Sequence, residues 1–177
     1  DWHSFGFLMI LAVLLTLFFY WGRPQYFRFH LWNETADVLG MTRDHEYFRL
    51  LPYAYWAIMS AFMRMVLPCL IIVLLFKDKI RDYGYRLIGE VEHARIYLIL
   101  YFIMLPVVVG VSFMPSFQNK YPFYKGSAEG LDQFLLYQMC YGIQFVALEA
   151  FFRGFVLFAL FKRFGYYAIP IMTVPYC

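Results

Sequence analysis

The chain has 177 residues, of which 63% are hydrophobic, 23% aromatic and only 15% charged. Soluble domains run at about 45–50% apolar and 25% charged, so this chain cannot cover its surface with polar groups, and disorder needs the opposite composition. A net charge of +3 without a dense Lys/Arg run gives no nucleic-acid signature.

A membrane-spanning helix needs about 20 mainly apolar residues at 1.5 Å each. Residues 5–22, free of charge, form the first predicted span. Residues 23–49 are mixed in charge, carry Trp32 and Tyr47, and read as a connection with a short interfacial helix around 45–51. Residues 50–76 form the second span, with Arg64 inside it and Pro68 four later. A compact loop over 77–95 carries Lys77, Lys79, Arg81, Arg86 and Arg95. Residues 96–114, with Pro106, form the third span. A loop over 115–130 carries Lys120 and Lys125. Residues 131–160 form the fourth span, and residues 166–177 read as the start of a fifth, cut short. The first residue is not Met and Cys177 falls inside an apolar run, so the sequence is expected to be part of a longer chain. The fold class is all-α: a single membrane domain over 1–177, built as a polytopic transmembrane helix bundle of about five spans.

Basic residues are retained in short cytoplasmic loops. Their density places 77–95 and Lys162–Arg163 in the cytoplasm, with the N-terminus inside. The expected location is a bacterial inner membrane. Cys69, Cys140 and Cys177 are far apart, odd in number and without a CxxC, so they read as free thiols. His3, His30, His45 and His93 fall near interfaces or in loops, and neither His45-Glu46 nor Glu92-His93 has the second His of a helical zinc site.

Ionisable side chains inside a membrane cost about 2.5–3.5 kcal/mol each and tend to face the bundle interior. Three stand out: Arg64, Glu149 and Arg153. Glu149 and Arg153 are four apart, so they share a helix face and can pair. Gln138 and Gly142 project onto the same stripe at 100° per residue. The pair reads either as a structural ion pair or as a catalytic or ligand-binding carboxylate oriented by its arginine. Arg64, with Ser60 four before it, reads either as a buried cation bonded to carbonyls or to Glu149, or as a clamp for a headgroup or carboxylate.

The run Phe145-Val146-Ala147-Leu148-Glu149-Ala150-Phe151-Phe152-Arg153-Gly154-Phe155 resembles the first motif of the CAAX-protease and bacteriocin-processing family, intramembrane proteases that include the CAAX prenyl endopeptidases. That motif is two adjacent Glu, three residues, then Arg, commonly followed by Gly. Glu149 matches the second Glu, Arg153 the Arg and Gly154 the Gly. Arg81-Asp82-Tyr83-Gly84-Tyr85 is similar to the Asp-Tyr-Gly segment that often precedes the family core. The resemblance covers 77–177, an incomplete core, and leaves 1–76 as variable N-terminal spans.

The resemblance implies a polar site inside the bundle, open to the cytoplasm, with Glu149 and Arg153 in it. In the family, the first Glu and a His on the next helix activate a water that attacks a peptide bond. Here Leu148 holds the first Glu's place, and the family's His motifs would follow Cys177. Glu149 is rotated by about 100° from that direction. Two readings stay open. One is an endopeptidase acting on a prenylated or membrane-tethered peptide. The other is a catalytically silent descendant serving as subunit or assembly factor of a larger membrane complex. Expected partners are the lipid bilayer, such a peptide or other membrane subunits, and no nucleic acid. No residue pattern assigns a cofactor.

Overall fold

The computed structural model describes residues 2–40, 45, 47–85 and 94–176. Glu46, Arg86, Glu92, His93 and Cys177 lie outside these. The structure is 89% helical, with no strand among the described residues.

Helix α1 (Trp2–Trp21) runs into α2 (Pro24–Leu39) through a 42° bend. Arg23 between them is extended, with φ −89° and ψ 154°, as a residue before proline is required to be. Pro24 then opens the new helix at its first position, where a missing N–H costs nothing. Residues 24–39, read from the sequence as a connection, are therefore helical.

Helix α3 (Phe48–Phe76) is continuous. Its first turn, Phe48–Leu50, is 3₁₀-wound, so the separate interfacial helix expected at 45–51 is the opening of α3 itself. Pro68 offers no N–H to the Arg64 carbonyl and its ring crowds it. A π-wound segment, Phe62–Val66, sits at that position and absorbs the conflict. Helix α4 (Ala94–Ser112) is apolar, and none of its most apolar window is buried inside the protein. Helix α5 (Pro115–Lys120) is short.

The longest helical run, α6, covers 131–164: α-wound over Leu131–Glu149, π-wound over Ala150–Val156, and α-wound again over Leu157–Phe164. Gly165 follows with φ 52° and ψ −133°, a conformation open to glycine alone, and α7 (Ala168–Tyr176) folds back. The reversal is fixed by contacts: Tyr176 hydrogen-bonds Glu149 at 2.8 Å, and its ring meets that of Phe152 at 5.2 Å. In one straight helix residues 149 and 176 would be about 40 Å apart.

Among the described residues, three helical runs, Phe48–Phe76, Arg95–Ser112 and Leu131–Tyr176, are long and apolar enough to cross a membrane, and the bent pair of Phe5–Trp21 with Pro24–Leu39 makes a fourth if it is taken as one span. Residues 166–177, expected as the start of a further span, contain the helix α7 over Ala168–Tyr176.

The main core joins α1, α3 and α6. Phe7, Leu11 and Leu14 pack with Ile72, Phe151, Phe155 and Leu160, and the Phe7 and Phe155 rings lie 5.4 Å apart. A second cluster unites Leu50, Tyr53, Tyr124 and Tyr137 at the other end. Loops divide between these two ends. Lys162 Nζ meets Asp78 Oδ2 at 2.6 Å at the first end. Arg49 meets Glu129 at 2.8 Å, and Tyr47 donates to Asp132, at the second.

Candidate functional site

Glu149 closes the α-wound part of α6, where π winding begins. Arg153 Nε donates to its Oε2 at 2.7 Å, and the Tyr176 hydroxyl donates to its Oε1 at 2.8 Å. The two predicted partners are thus paired, and a third, Tyr176, completes the constellation. No motif marks Tyr176; only the reversal at Gly165 brings it there. The Glu149 side chain is 22% exposed and that of Arg153 is 69% exposed. The carboxylate faces inward, while the guanidinium lies over it on the surface. The interior face expected for both residues does not extend to the Arg153 side chain, which is largely exposed while still paired with Glu149.

Leu148 packs at the edge of the main core rather than toward the carboxylate. The Asp-Tyr-Gly segment lies directly against the motif. The Tyr85 hydroxyl donates to the Ala150 carbonyl at 3.0 Å. Burial pushes the Tyr85 hydroxyl above its ordinary range, so it stays protonated and available as a donor. A Cβ on Gly154 would stand 3.2 Å from both the Tyr83 carbonyl oxygen and the Tyr85 ring. Gly84, with φ 77°, lets the segment turn beneath Phe158. The two stretches that carry the family resemblance therefore meet at one place.

Gln138, projected onto the same stripe, is instead exposed beside Tyr137 and Tyr141, and a Cβ on Gly142 would meet nothing within 4 Å. The buried amides of α6 are Gln133 and Gln144. Gln133 accepts a hydrogen bond from Tyr124 at 2.6 Å, a partnership set by the 121–130 loop and invisible to helix projection.

Arg64 bonds neither Glu149 nor a carbonyl through its Nε and Nη1, which are buried without a hydrogen-bond partner. Its guanidinium lies over the Phe18 ring, 3.7 Å from the centroid. Ser60 Oγ, one turn earlier, is also buried without a partner. Cys69 and Cys140 are free thiols. Among the described residues no three His, Cys, Asp or Glu side chains converge as metal ligands. Chemically, the Glu149 constellation can hold α7 against the motif helix and fix the orientation of one carboxylate. No family model, curated protein or solved structure matches the chain.

Proposed function

We propose that this chain is a CAAX-protease-like integral membrane protein, a helical bundle in a bacterial inner membrane, in which Glu149 and Arg153 serve as a structural clasp. The protein is catalytically silent and acts as a subunit or assembly factor of a larger membrane complex. The observation that carries this reading is the Glu149 carboxylate, each oxygen of which already accepts from a side-chain donor, Arg153 or Tyr176. With Leu148 turned to the core, the motif offers no second carboxylate.

The membrane reading is supported by α4, whose apolar residues are exposed around its whole circumference. A helix apolar on every side needs either protein or lipid around it. The Lys162–Asp78 end takes the cytoplasmic side, following the basic residues.

A specific observation favours a second reading, endopeptidase action on a prenylated or membrane-tethered peptide. The Asp-Tyr-Gly segment and the Glu149 motif converge, and the carboxylate keeps some exposure. Incubation of the full-length protein in micelles with a prenylated peptide separates the two. No cleavage, together with migration above the monomer mass on native gels, is the expected result. Turnover that disappears in Glu149→Gln overturns the silent reading.

A further inference from the structure

A cavity of about 380 Å³ opens between α1, α2, α3 and α6, near the end that carries the second aromatic cluster. Its wall contains three arginines from three separate places: Arg23 at the bend, Arg28 in α2 and Arg64 in α3. No carboxylate lines it. None of the three is in an ion pair among the described residues, whose pairs use Arg49, Arg153 and Lys162. Arg23 and Arg64 repel each other electrostatically.

Such a grouping is unfavourable on its own account. Like charges in a half-enclosed apolar cleft raise each other's energy, and the buried Arg64 donors have given up water without gaining an acceptor. The missing component is an anion. Arg64 lines the cavity with its guanidinium over the Phe18 ring, 3.7 Å from the centroid, a cation–π contact that positions it without supplying an acceptor. Arg28 is steadied in a similar way by the Tyr53 hydroxyl at 3.2 Å.

We propose that this cavity binds a phosphate group, with the half-buried Arg64 as its anchor and the exposed Arg23 and Arg28 as its rim. Guanidinium forks match phosphate oxygens with charge-assisted hydrogen bonds. A planar carboxylate is satisfied by one bidentate arginine. Three arginines approaching from different elements suit a tetrahedral group that accepts from several directions. Tyr53 and Trp56 line the same cleft. Amphipathic rings of that kind sit at headgroup depth in bilayers. The phosphate can therefore come from a phospholipid headgroup or from a soluble phosphate compound. The site is independent of any peptidase activity and shares with the functional reading only the premise that the helices lie in a bilayer.

The experiment uses the full-length protein in neutral maltoside micelles, with bound adducts counted by native mass spectrometry after addition of phosphatidylglycerol, phosphatidylcholine, oleate or inorganic phosphate. Phosphatidylglycerol retained well above phosphatidylcholine and oleate is expected. Arg64→Gln is expected to reduce that retention about tenfold, the worth of one charge-assisted hydrogen bond. Arg64→Lys keeps the charge but loses the fork, and is expected to recover little. Arg28→Gln, an exposed position whose replacement leaves the fold intact, is expected to weaken binding by a smaller factor. Displacement of the lipid by millimolar inorganic phosphate assigns the group to a soluble phosphate compound, and resistance assigns it to lipid. Equal retention of phosphatidylglycerol by wild type, Arg64→Gln and Arg28→Gln, or oleate held as firmly, overturns the proposal. In that case a protein still folded in its micelle leaves the membrane reading standing.

Discussion

Tyr176 reaches back across the turn at Gly165 and donates its hydroxyl to Glu149 at 2.8 Å, so one carboxylate ties the end of α7 to the motif helix. The same carboxylate holds Arg153 from the outside. These two contacts differ in weight. Tyr176 is half-buried against Phe152, whereas Arg153 is largely exposed, and an exposed i,i+4 pair contributes only about 0.3–0.5 kcal/mol.

The clasp is accordingly expected to show its strength through Tyr176. Tyr176→Phe removes one hydrogen bond to a charged group, worth about 1.5 kcal/mol in a partly buried setting. That corresponds to a fall in melting temperature of about 3–6 °C for a chain of this size. Arg153→Ala is expected to cost under about 0.5 kcal/mol. A double-mutant cycle between Tyr176→Phe and Glu149→Gln measures the link directly. Additive losses would show that the two side chains are not coupled.

Two glycines hold the Asp-Tyr-Gly segment against the motif, for different reasons. Gly84 adopts φ 77°, and a Cβ there would come 2.6 Å from the Phe158 ring. Gly84→Ala combines a left-handed backbone penalty of about 1–2 kcal/mol with displacement of that ring. Gly154 is an ordinary helical glycine whose Cβ would press on the Tyr83 carbonyl at 3.2 Å. Gly154→Ala is expected to cost less, under about 1.5 kcal/mol, because a shift of a few tenths of an ångström relieves it. Thermal melts of both variants in micelles test the order; Gly154→Ala melting below Gly84→Ala would reverse it.

Much of the architecture is legible in the sequence because apolar length is a strong signal. The spans at 50–76 and 96–114 follow from it directly, and Glu149 pairs with Arg153 as their spacing requires. The misreadings have separate causes. Spacing shows that Arg153 can pair with Glu149, but not how far its long side chain reaches out of the bundle. Residues 24–39 look like a connection because Pro24 and four ionisable residues interrupt the apolar run, yet Pro24 starts a helix. Tyr176 was illegible for another reason. Its partner is 27 residues away, and only a turn at Gly165 makes them neighbours.

The two ends of the bundle give a topological expectation. Lys79 lies beside Asp78 at the end that also carries Lys162, while Lys125 lies in the loop next to Tyr124 at the opposite end. With the native cysteines replaced by Ser, Lys79→Cys is expected to resist an impermeant maleimide in intact cells and Lys125→Cys to react. Labelling of Lys79→Cys alone reverses the orientation, and labelling of both removes the spanning arrangement.

Asp78 supplies a dependence on pH outside the spanning helices. The hydrogen bond from Lys162, and then that from Tyr83, hold its carboxyl below the ordinary value of 3.8. A carboxylate whose pKa is depressed by folding stabilises the fold above its unfolded value, and that contribution fades as pH falls through the folded value. The pair is partly exposed, so the effect is under about 1 kcal/mol. Wild type is expected to melt slightly above Asp78→Asn at pH 7, and the gap is expected to narrow as pH falls below the ordinary value of 3.8. A gap that does not narrow on acidification would assign the difference to packing rather than charge.

Arg64 is where stability and function are expected to oppose each other. Its Nε and Nη1 are buried without acceptors, and each such loss costs about 1–3 kcal/mol. The contact with Phe18 returns about 0.5–2 kcal/mol. The balance is unfavourable as long as the cavity holds no anion. Arg64→Met keeps the length of the side chain, removes the orphaned donors and still packs on Phe18, since a thioether is favourable against an aromatic ring. In neutral micelles it is therefore expected to raise the melting temperature by about 2–4 °C, the equivalent of about 1 kcal/mol. Adding phosphatidylglycerol stabilises only the state that binds it, by RT ln(1 + [L]/Kd). Wild type should then gain and Arg64→Met should not, so the order of the two melts narrows or inverts with lipid concentration. Parallel gains in both proteins would mean that the lipid acts elsewhere, and a lower melt for Arg64→Met in neutral micelles would mean that Arg64 is already satisfied within the fold.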